Sequence, residues 1–465
     1  MTFLNDDTIC ALATATGGAM ATIRVSGNQA IPITDALFVS PTGHRLVDAR
    51  SHTAHYGTLH GDDGETIDDV VVTVMRSPRS YTGEDTAEIS CHGSRYIITL
   101  ILHALTRNGC RQALPGEFTQ RAFLNGKLDL SQAEAVADLI SATNGATHKM
   151  ALSQLRGNFS HELGVLRDEL LRLTSLLELE LDFSDHEDLE FADRGELMEI
   201  AQSTAHRISE LARSFETGNA LRQGIAVAIV GKTNVGKSTL LNRLLHDDKA
   251  IVSDIHGTTR DVIEDTTQIR GLTFRFIDTA GIRATADTVE QMGIERTYKK
   301  LDEATIVLWL TDTPPTAEET EEIALRTKGK KVIAIVNKTD LASSDYDPTA
   351  TLPHHEGEPP IPVVRMSAKH DSDLSTLEEA LYDITDIPEV TQNDVIVTNA
   401  RHYEALVKAQ ADIVAVITGL QNGMSGDLLS EDLRSCINHL ATIVGGAITP
   451  DETLGNIFSH FCVGK

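Results

Sequence analysis

Hydrophobic and polar positions fall into distinct textures along the chain. Over residues 1–127, short β-rich runs (Ala21–Val25, Val70–Met75, Ala87–Cys91) alternate with glycine-bearing turns, and one apolar stretch near Tyr96–Arg107 has helical spacing. That mixture predicts a small α/β domain. From about Leu128 the period becomes helical. Ser131-Gln-Ala-Glu134 reads as a capping box before Ala135, Val136, Leu139 and Ile140, and Leu and Ala recur at helical spacing through Leu152–Leu181 and Leu197–Leu211. No proline interrupts the chain between Gly116 and Thr313, which permits long helices. Residues 225–385 return to strand–helix alternation. From Asn399 the texture is helical again, and Thr449-Pro450-Asp451-Glu452 gathers an N-cap, a first-turn proline and acidic residues at the start of a last helix. The pattern predicts an α/β domain over 1–127, helical segments over 128–223 and 386–465 that form one discontinuous domain, and an α/β unit inserted at 224–385.

Chemistry concentrates in that insertion. The apolar strand Gly224–Val230 runs into Gly231-x4-Gly236-Lys237-Ser238 and then a helical segment, the context a phosphate-binding loop requires. Its glycines let backbone N–H groups curl around phosphate oxygens at a helix N-terminus, Lys237 reaches the β- and γ-phosphates, and Ser238 ligates Mg²⁺. Asn234, Val235, Gly236 and Thr239 complete the loop. Gly257-Thr258-Thr259-Arg260-Asp261 offers Thr259 as a second Mg²⁺ ligand, with Ser253, Asp254, Ile255 and His256 just before it. Asp278-Thr279-Ala280-Gly281 provides an acidic partner for Mg²⁺ and a γ-phosphate-sensing amide. Asn337-Lys338-Thr339-Asp340 follows a second buried strand, where the carboxylate accepts two bonds from the guanine edge, a donor pair that adenine lacks. Ser367-Ala368-Lys369 closes over the base. Each element alone is weak; in this order they specify a GTP-binding site.

Many small GTPases orient the attacking water with a glutamine directly after the Asp278–Gly281 type of motif, where this chain has Ile282. Another device must then neutralise the transition state. The amide oxygen of Asn234 and the backbone carbonyls of the 253–258 segment are hard ligands suited to an alkali cation, although an asparagine in such a loop can equally serve as a cap.

Composition restricts the setting. Forty basic against sixty-eight acidic residues give a net charge of −28, so non-specific nucleic-acid binding is disfavoured. An RNA partner would need a local basic face or a more basic second subunit. Five scattered cysteines (Cys10, Cys91, Cys110, Cys436, Cys462) without a C-x-x-C pair argue against a disulfide framework or structural zinc. With no signal-peptide pattern at the start and no run of about 20 apolar residues, a cytoplasmic chain is expected.

Other segments carry a resemblance. Tyr81-Thr-Gly-Glu-Asp85, Pro115-Gly-Glu-Phe-Thr-Gln-Arg-Ala-Phe-Leu-Asn125, Lys127-Leu-Asp-Leu-Ser-Gln-Ala-Glu-Ala135, the phosphate loop with Asn234, Gly257–Asp261, Asp278–Arg283 and the tail Phe461-Cys-Val-Gly-Lys465 resemble the MnmE (TrmE) family of tRNA-modifying GTPases along nearly the whole chain. The resemblance implies a multidomain α/β plus all-α protein: an N-terminal folate-binding and dimerising domain, a discontinuous helical domain and an inserted Ras-like P-loop G domain. It implies potassium ligated by Asn234, Ser253, Ile255 and Thr258, Mg²⁺ by Ser238 and Thr259, and a catalytic part for Glu290 beside Asn234 and Lys237. As a bare residue Glu290 reads as a solvated helix carboxylate. A tetrahydrofolate derivative (5-formyl or 5,10-methylene) would meet Arg24, Glu88, Lys127 and Lys465; Arg24 on a strand otherwise reads as a surface charge. A homodimer joined by an FAD-containing MnmG-type subunit would then place an aminomethyl-type group on C5 of a wobble uridine. Cys462 offers a thiol nucleophile near a folate carbon, but with no base beside it in sequence it reads more readily as a packing or positioning residue. The competing functional class is a regulatory GTPase switch, for example in ribosome assembly, but no Lys/Arg-rich appendage of that kind is present.

Overall fold

The computed structural model describes residues 7–182, 194–246, 265–277, 301, 303–340, 346–349, 360–369, 374–388, 390–446, 457–458, 461 and 464. The chain divides into two compact units, Met1–Ser141 with Ala151–Glu210 and Glu404–Lys465, and Ala142–Met150 with Leu211–Tyr403.

In the first unit, β1 (Thr8–Leu12), β2 (Met20–Ser26), β3 (Phe38–Val39), β4 (Thr53–His60), β5 (Thr66–Met75), β6 (Thr86–His92) and β7 (Cys110–Gln112) form one sheet ordered β3-β4-β5-β6-β2-β1-β7. Its pairings are antiparallel except β1 with β7. The expected strands lie inside β2, β5 and β6, and the expected helix is Arg95–Arg107. Alternation along these strands sends Ile23, Val25, Val72, Val74 and Ile89 into one core with Ile31 and Ile101 of the helices Ala30–Leu37 and Arg95–Arg107. The opposite face carries Arg24, Glu88, Val71 and Tyr56. The helical part of this unit packs Gly426–Val444 along Asn158–Asp182 and against Leu130–Ser141. Leu166, Leu170, Leu173, Leu433, Leu440 and Ile443 are buried there.

Two local expectations shift. The box that starts Leu130–Ser141 is not Ser131 with Glu134. Asp129 Oδ1 accepts from Gln132 N at 2.8 Å while Gln132 Oε1 accepts from Asp129 N at 3.0 Å. Ser131, already inside the helix, accepts instead from the Gln154 side chain at 3.1 Å. The Leu152–Leu181 run is also broken at Arg156–Gly157, between helices Gly145–Leu155 and Asn158–Asp182. The expected helix start at Thr449–Glu452 lies outside the described residues.

The second unit holds β8 (Ile225–Gly231), β9 (Asp265–Ile269), β10 (Leu272–Ile277), β11 (Ile306–Thr311), β12 (Lys331–Val336) and β13 (Val363–Arg365), ordered β13-β12-β11-β8-β10-β9. All pairs are parallel except β9 on β10 at the edge. β8, β11 and β12 are buried along almost their whole length, as continuous apolar runs covered on both faces must be. This is a Ras-like P-loop arrangement. Residues 142–150 pack on it: Asn144 Nδ2 donates to Thr273 Oγ1 at 2.7 Å and Lys149 Nζ to Val390 O at 3.0 Å.

Candidate functional site

In an open parallel sheet, ligands are met at the carboxyl ends of the strands. The sequence motifs sit there: the phosphate loop after β8, Asn337–Asp340 after β12 and Ser367–Lys369 after β13. Helix Lys237–His246 starts inside the loop, so its free N–H groups face the phosphate position. Gly236, at φ +106, passes so close to Asn337 that a Cβ would lie 2.3 Å from Nδ2, and no other residue fits that approach. Asn337 joins three segments from a nearly sealed position. Its Nδ2 donates to Val235 O at 2.7 Å and its Oδ1 accepts from Ala368 N at 2.9 Å. Arg243 Nη1 adds a bond to Ala368 O at 3.3 Å. A lost Asn337 amide would strand two buried backbone groups, each costing about 1–3 kcal/mol.

Lys237 Nζ donates to Gly231 O at 2.7 Å and Lys232 O at 2.6 Å, which leaves one of its three N–H bonds for a ligand. Burial lowers its pKa from the usual lysine value. Ser238 and Asn234 are exposed, and their side chains make no hydrogen bond among the described residues. A hydroxyl and an amide oxygen in that state suit a hard cation. Asp340 is exposed at the turn after β12, with Thr339 half-buried beside it and Ser367 and Ala368 buried. The structure thus brings together Asn234, Val235, Gly236, Lys237, Ser238, Thr239, Asn337, Lys338, Thr339, Asp340, Ser367, Ala368 and Lys369. Ser253–Thr259, Asp278–Gly281 and Glu290 lie outside the described residues.

The first unit carries a second cluster. Arg24 and Glu88 are cross-strand partners on β2 and β6, and Arg24 Nε reaches Glu88 Oε1 at 2.8 Å. The guanidinium also lies over the rings of Tyr81 (5.5 Å) and Phe118 (5.6 Å). Tyr81 Oη is fixed by Thr119 Oγ1 at 2.8 Å, and burial raises its pKa. A cavity of about 510 Å³ is lined by His52, Met75, Arg79, Ser80, Tyr81 and Lys127. Lys127 Nζ donates to Pro78 O at 3.0 Å. Tyr81 therefore lines the Lys127 cavity and also packs against the Arg24 guanidinium. Gly464 lies against the end of β1, where a Cβ would fall 2.1 Å from Leu12 O. Lys465 and Cys462 lie outside the described residues; the other four cysteines are buried and free.

Two family models match, "GTP-binding protein TrmE N-terminus" over residues 8–127 and "MnmE helical domain" over 130–462. Proteins named "tRNA modification GTPase MnmE" from Phocaeicola vulgatus and Parabacteroides distasonis are 50% and 54% identical to the chain, across 100% and 98% of it and 100% of each relative. The chain belongs to the MnmE family.

One part of this MnmE-family chain escapes sequence reading. Glu117, almost fully buried, accepts from Arg111 Nη1 at 3.0 Å, Arg121 Nη2 at 3.1 Å and Leu114 N at 2.8 Å. Arg121, equally buried, also reaches Asp7 and Glu84, and Glu84 accepts from Ser26 at 2.8 Å. Burial pushes the Glu117 carboxyl's pKa up, but the Arg111, Leu114 and Arg121 hydrogen bonds outweigh it and the net shift is downward. This network fixes helix Glu117–Leu124, and with it Phe118 and Thr119 beneath Arg24 and Tyr81. The only signal in sequence was that Tyr81–Asp85 and Pro115–Asn125 both belong to the resemblance. Among the described residues no helix is long and apolar enough to cross a membrane.

Proposed function

We propose that this GTPase is activated by potassium and acts in tRNA modification with an FAD-containing, MnmG-type partner subunit. Together they place an aminomethyl or carboxymethylaminomethyl group on C5 of the wobble uridine, with the carbon supplied by a tetrahydrofolate derivative. The chain itself hydrolyses GTP. What carries the reading is Asn337, which ties the phosphate loop to the Asn337–Asp340 and Ser367–Lys369 loops at one sheet edge in a chain alike over its full length to proteins named for tRNA modification.

Asp340 accepts from the guanine edge and Ser367–Lys369 covers it. Lys237, steadied by two carbonyls, presents its remaining N–H to the phosphates. Ser238 and Thr259 would hold Mg²⁺, Asp278 would support it through water, and Thr279, Ala280 and Gly281 would sense the γ-phosphate. Asn234, Ser253, Ile255 and Thr258 would hold potassium, which when bound supplies positive charge where phosphate charge develops. Asp254, His256 and Gly257 belong to the same nucleotide-binding segment of the sequence, and Glu290 would orient the attacking water.

In the first unit, Arg24, Glu88, Lys127 and Lys465 bind the folate: a carboxylate for a pterin edge and cations for a glutamate tail. The exposed pair Tyr56 and Val71, cross-strand neighbours on the open sheet face, supports a homodimer through that face. The partner subunit supplies the basic RNA surface that a chain of net charge −28 lacks, in the cytoplasm. The test is nucleoside analysis of tRNA from cells lacking the protein. The modified wobble uridine should disappear and return with the wild-type gene. Unchanged nucleosides would instead favour a regulatory switch.

A further inference from the structure

Two residues with left-handed backbone, Asn234 (φ 62) and Lys338 (φ 60), stand in different loops of the nucleotide site. Such backbone persists in a non-glycine residue where neighbouring contacts hold it. They hold each other: Lys338 Nζ donates to Asn234 O at 2.7 Å. The same ammonium donates to Asp312 Oδ2 at 2.8 Å. Asp312 directly follows β11, the strand between β8 and β12, so its carboxylate approaches Lys338 from the centre of the sheet's carboxyl edge. It belongs to none of the guanine-nucleotide motifs.

A lysine ammonium is a compact charge on a flexible stem, and one acceptor does not fix it. Asp312 supplies the second. Its negative charge also offsets an ammonium that would otherwise repel a cation arriving at Asn234. Asn234 turns its backbone carbonyl to Lys338 and leaves its side-chain amide exposed, so the backbone that Lys338 clamps sets the point from which the amide oxygen reaches out.

We propose that Asp312 is a positioning residue for the monovalent cation: it holds the Lys338 ammonium on the Asn234 carbonyl and thereby fixes the turn that presents the Asn234 amide oxygen. The proposal rests on the potassium reading of Asn234. It links the loop that reads the base to the loop that meets the cation.

The test uses the full chain and binding of a fluorescent GDP with aluminium fluoride, a transition-state mimic, titrated with potassium against sodium at constant ionic strength. In Asp312→Asn and, independently, Asp312→Ser, the potassium concentration for half-maximal complex formation should rise about five-fold, the upper end of what one partly solvated ion pair contributes. Asp312→Glu should recover most of it. Affinity for the fluorescent GDP alone, and the thermal midpoint, should stay within about two-fold and about 2 °C of wild type, which a merely structural role would not produce. An unmoved potassium midpoint in both variants, or a loss of GDP affinity in the same proportion, overturns the proposal. A wild-type protein indifferent to potassium overturns the potassium reading itself, and the proposal with it.

Discussion

The phosphate-loop region and the Arg24 cluster both hold charged side chains in fixed positions, in opposite ways. At the nucleotide site, backbone carbonyls and one buried amide do the holding. Lys237 rests on Gly231 and Lys232, Lys338 on Asn234, and Asn337 on Val235 and Ala368. Around Arg24, side chains hold side chains: Glu88 beside it, Tyr81 and Phe118 on its faces, and beneath them Glu117, Arg111, Arg121, Asp7 and Glu84. A backbone clamp is local and tolerant of its surroundings. A side-chain lattice is fixed only if every charge finds its partner, and losing one member leaves the rest buried and uncompensated.

The largest expected effect separates the two directly. Arg121→Ala leaves Glu117 buried with one cation fewer and should cost the first unit about 3–5 kcal/mol. Hydrogen exchange in residues 117–124 should accelerate accordingly, while GTP affinity holds. Equal loss of protection in helix Lys237–His246 would show that the contrast is false. Next comes Lys237→Ala, which should lower GTP turnover by about 100-fold or more, read in a phosphate-release assay. Folate binding to the first unit should be untouched.

These two outcomes bear on what sequence can reveal. The phosphate loop and Asn337–Asp340 were legible because backbone chemistry forces their glycines, lysines and asparagine into contiguous patterns. The strands β2, β5, β6, β8 and β12 are legible from period alone. Tyr81 with Thr119, and Arg121 with Asp7, were not. Those partners lie 38 and 114 residues apart, and no spacing rule links them. The helix cap at Asp129 is hidden in the sequence for a smaller reason, because Ser131 and Glu134 satisfy the same pattern two residues later.

Asp340→Asn should weaken GTP about 10- to 100-fold and favour xanthosine triphosphate, because the amide keeps one acceptor oxygen but sets an NH₂ donor against the second guanine donor. A competition assay showing unchanged preference would remove Asp340 from base recognition. Acid offers a graded check on the side-chain lattice. Glu117 and Asp7 have lowered pKa values in the fold, so the stability they contribute is present above their unfolded values, about 4, and is lost as pH falls through the folded ones. A pH titration of the first unit's unfolding should therefore show stability falling below about pH 4, and less steeply in Glu117→Gln. The smallest effect belongs to Tyr81→Phe, which loses only the Thr119 bond, about 1 kcal/mol. Folate affinity measured by calorimetry should drop by less than about ten-fold.

The most direct measurement places both ligands on one protein. Calorimetric titrations of 5-formyl-tetrahydrofolate and of a non-hydrolysable GTP analogue would be run on Arg24→Ala and on Asp340→Asn. Arg24→Ala should lose the folate heat and keep the nucleotide heat, and Asp340→Asn should do the reverse. Loss of both ligands in either folded variant, or folate binding that survives Arg24→Ala intact, would contradict two chemically separate sites in this chain.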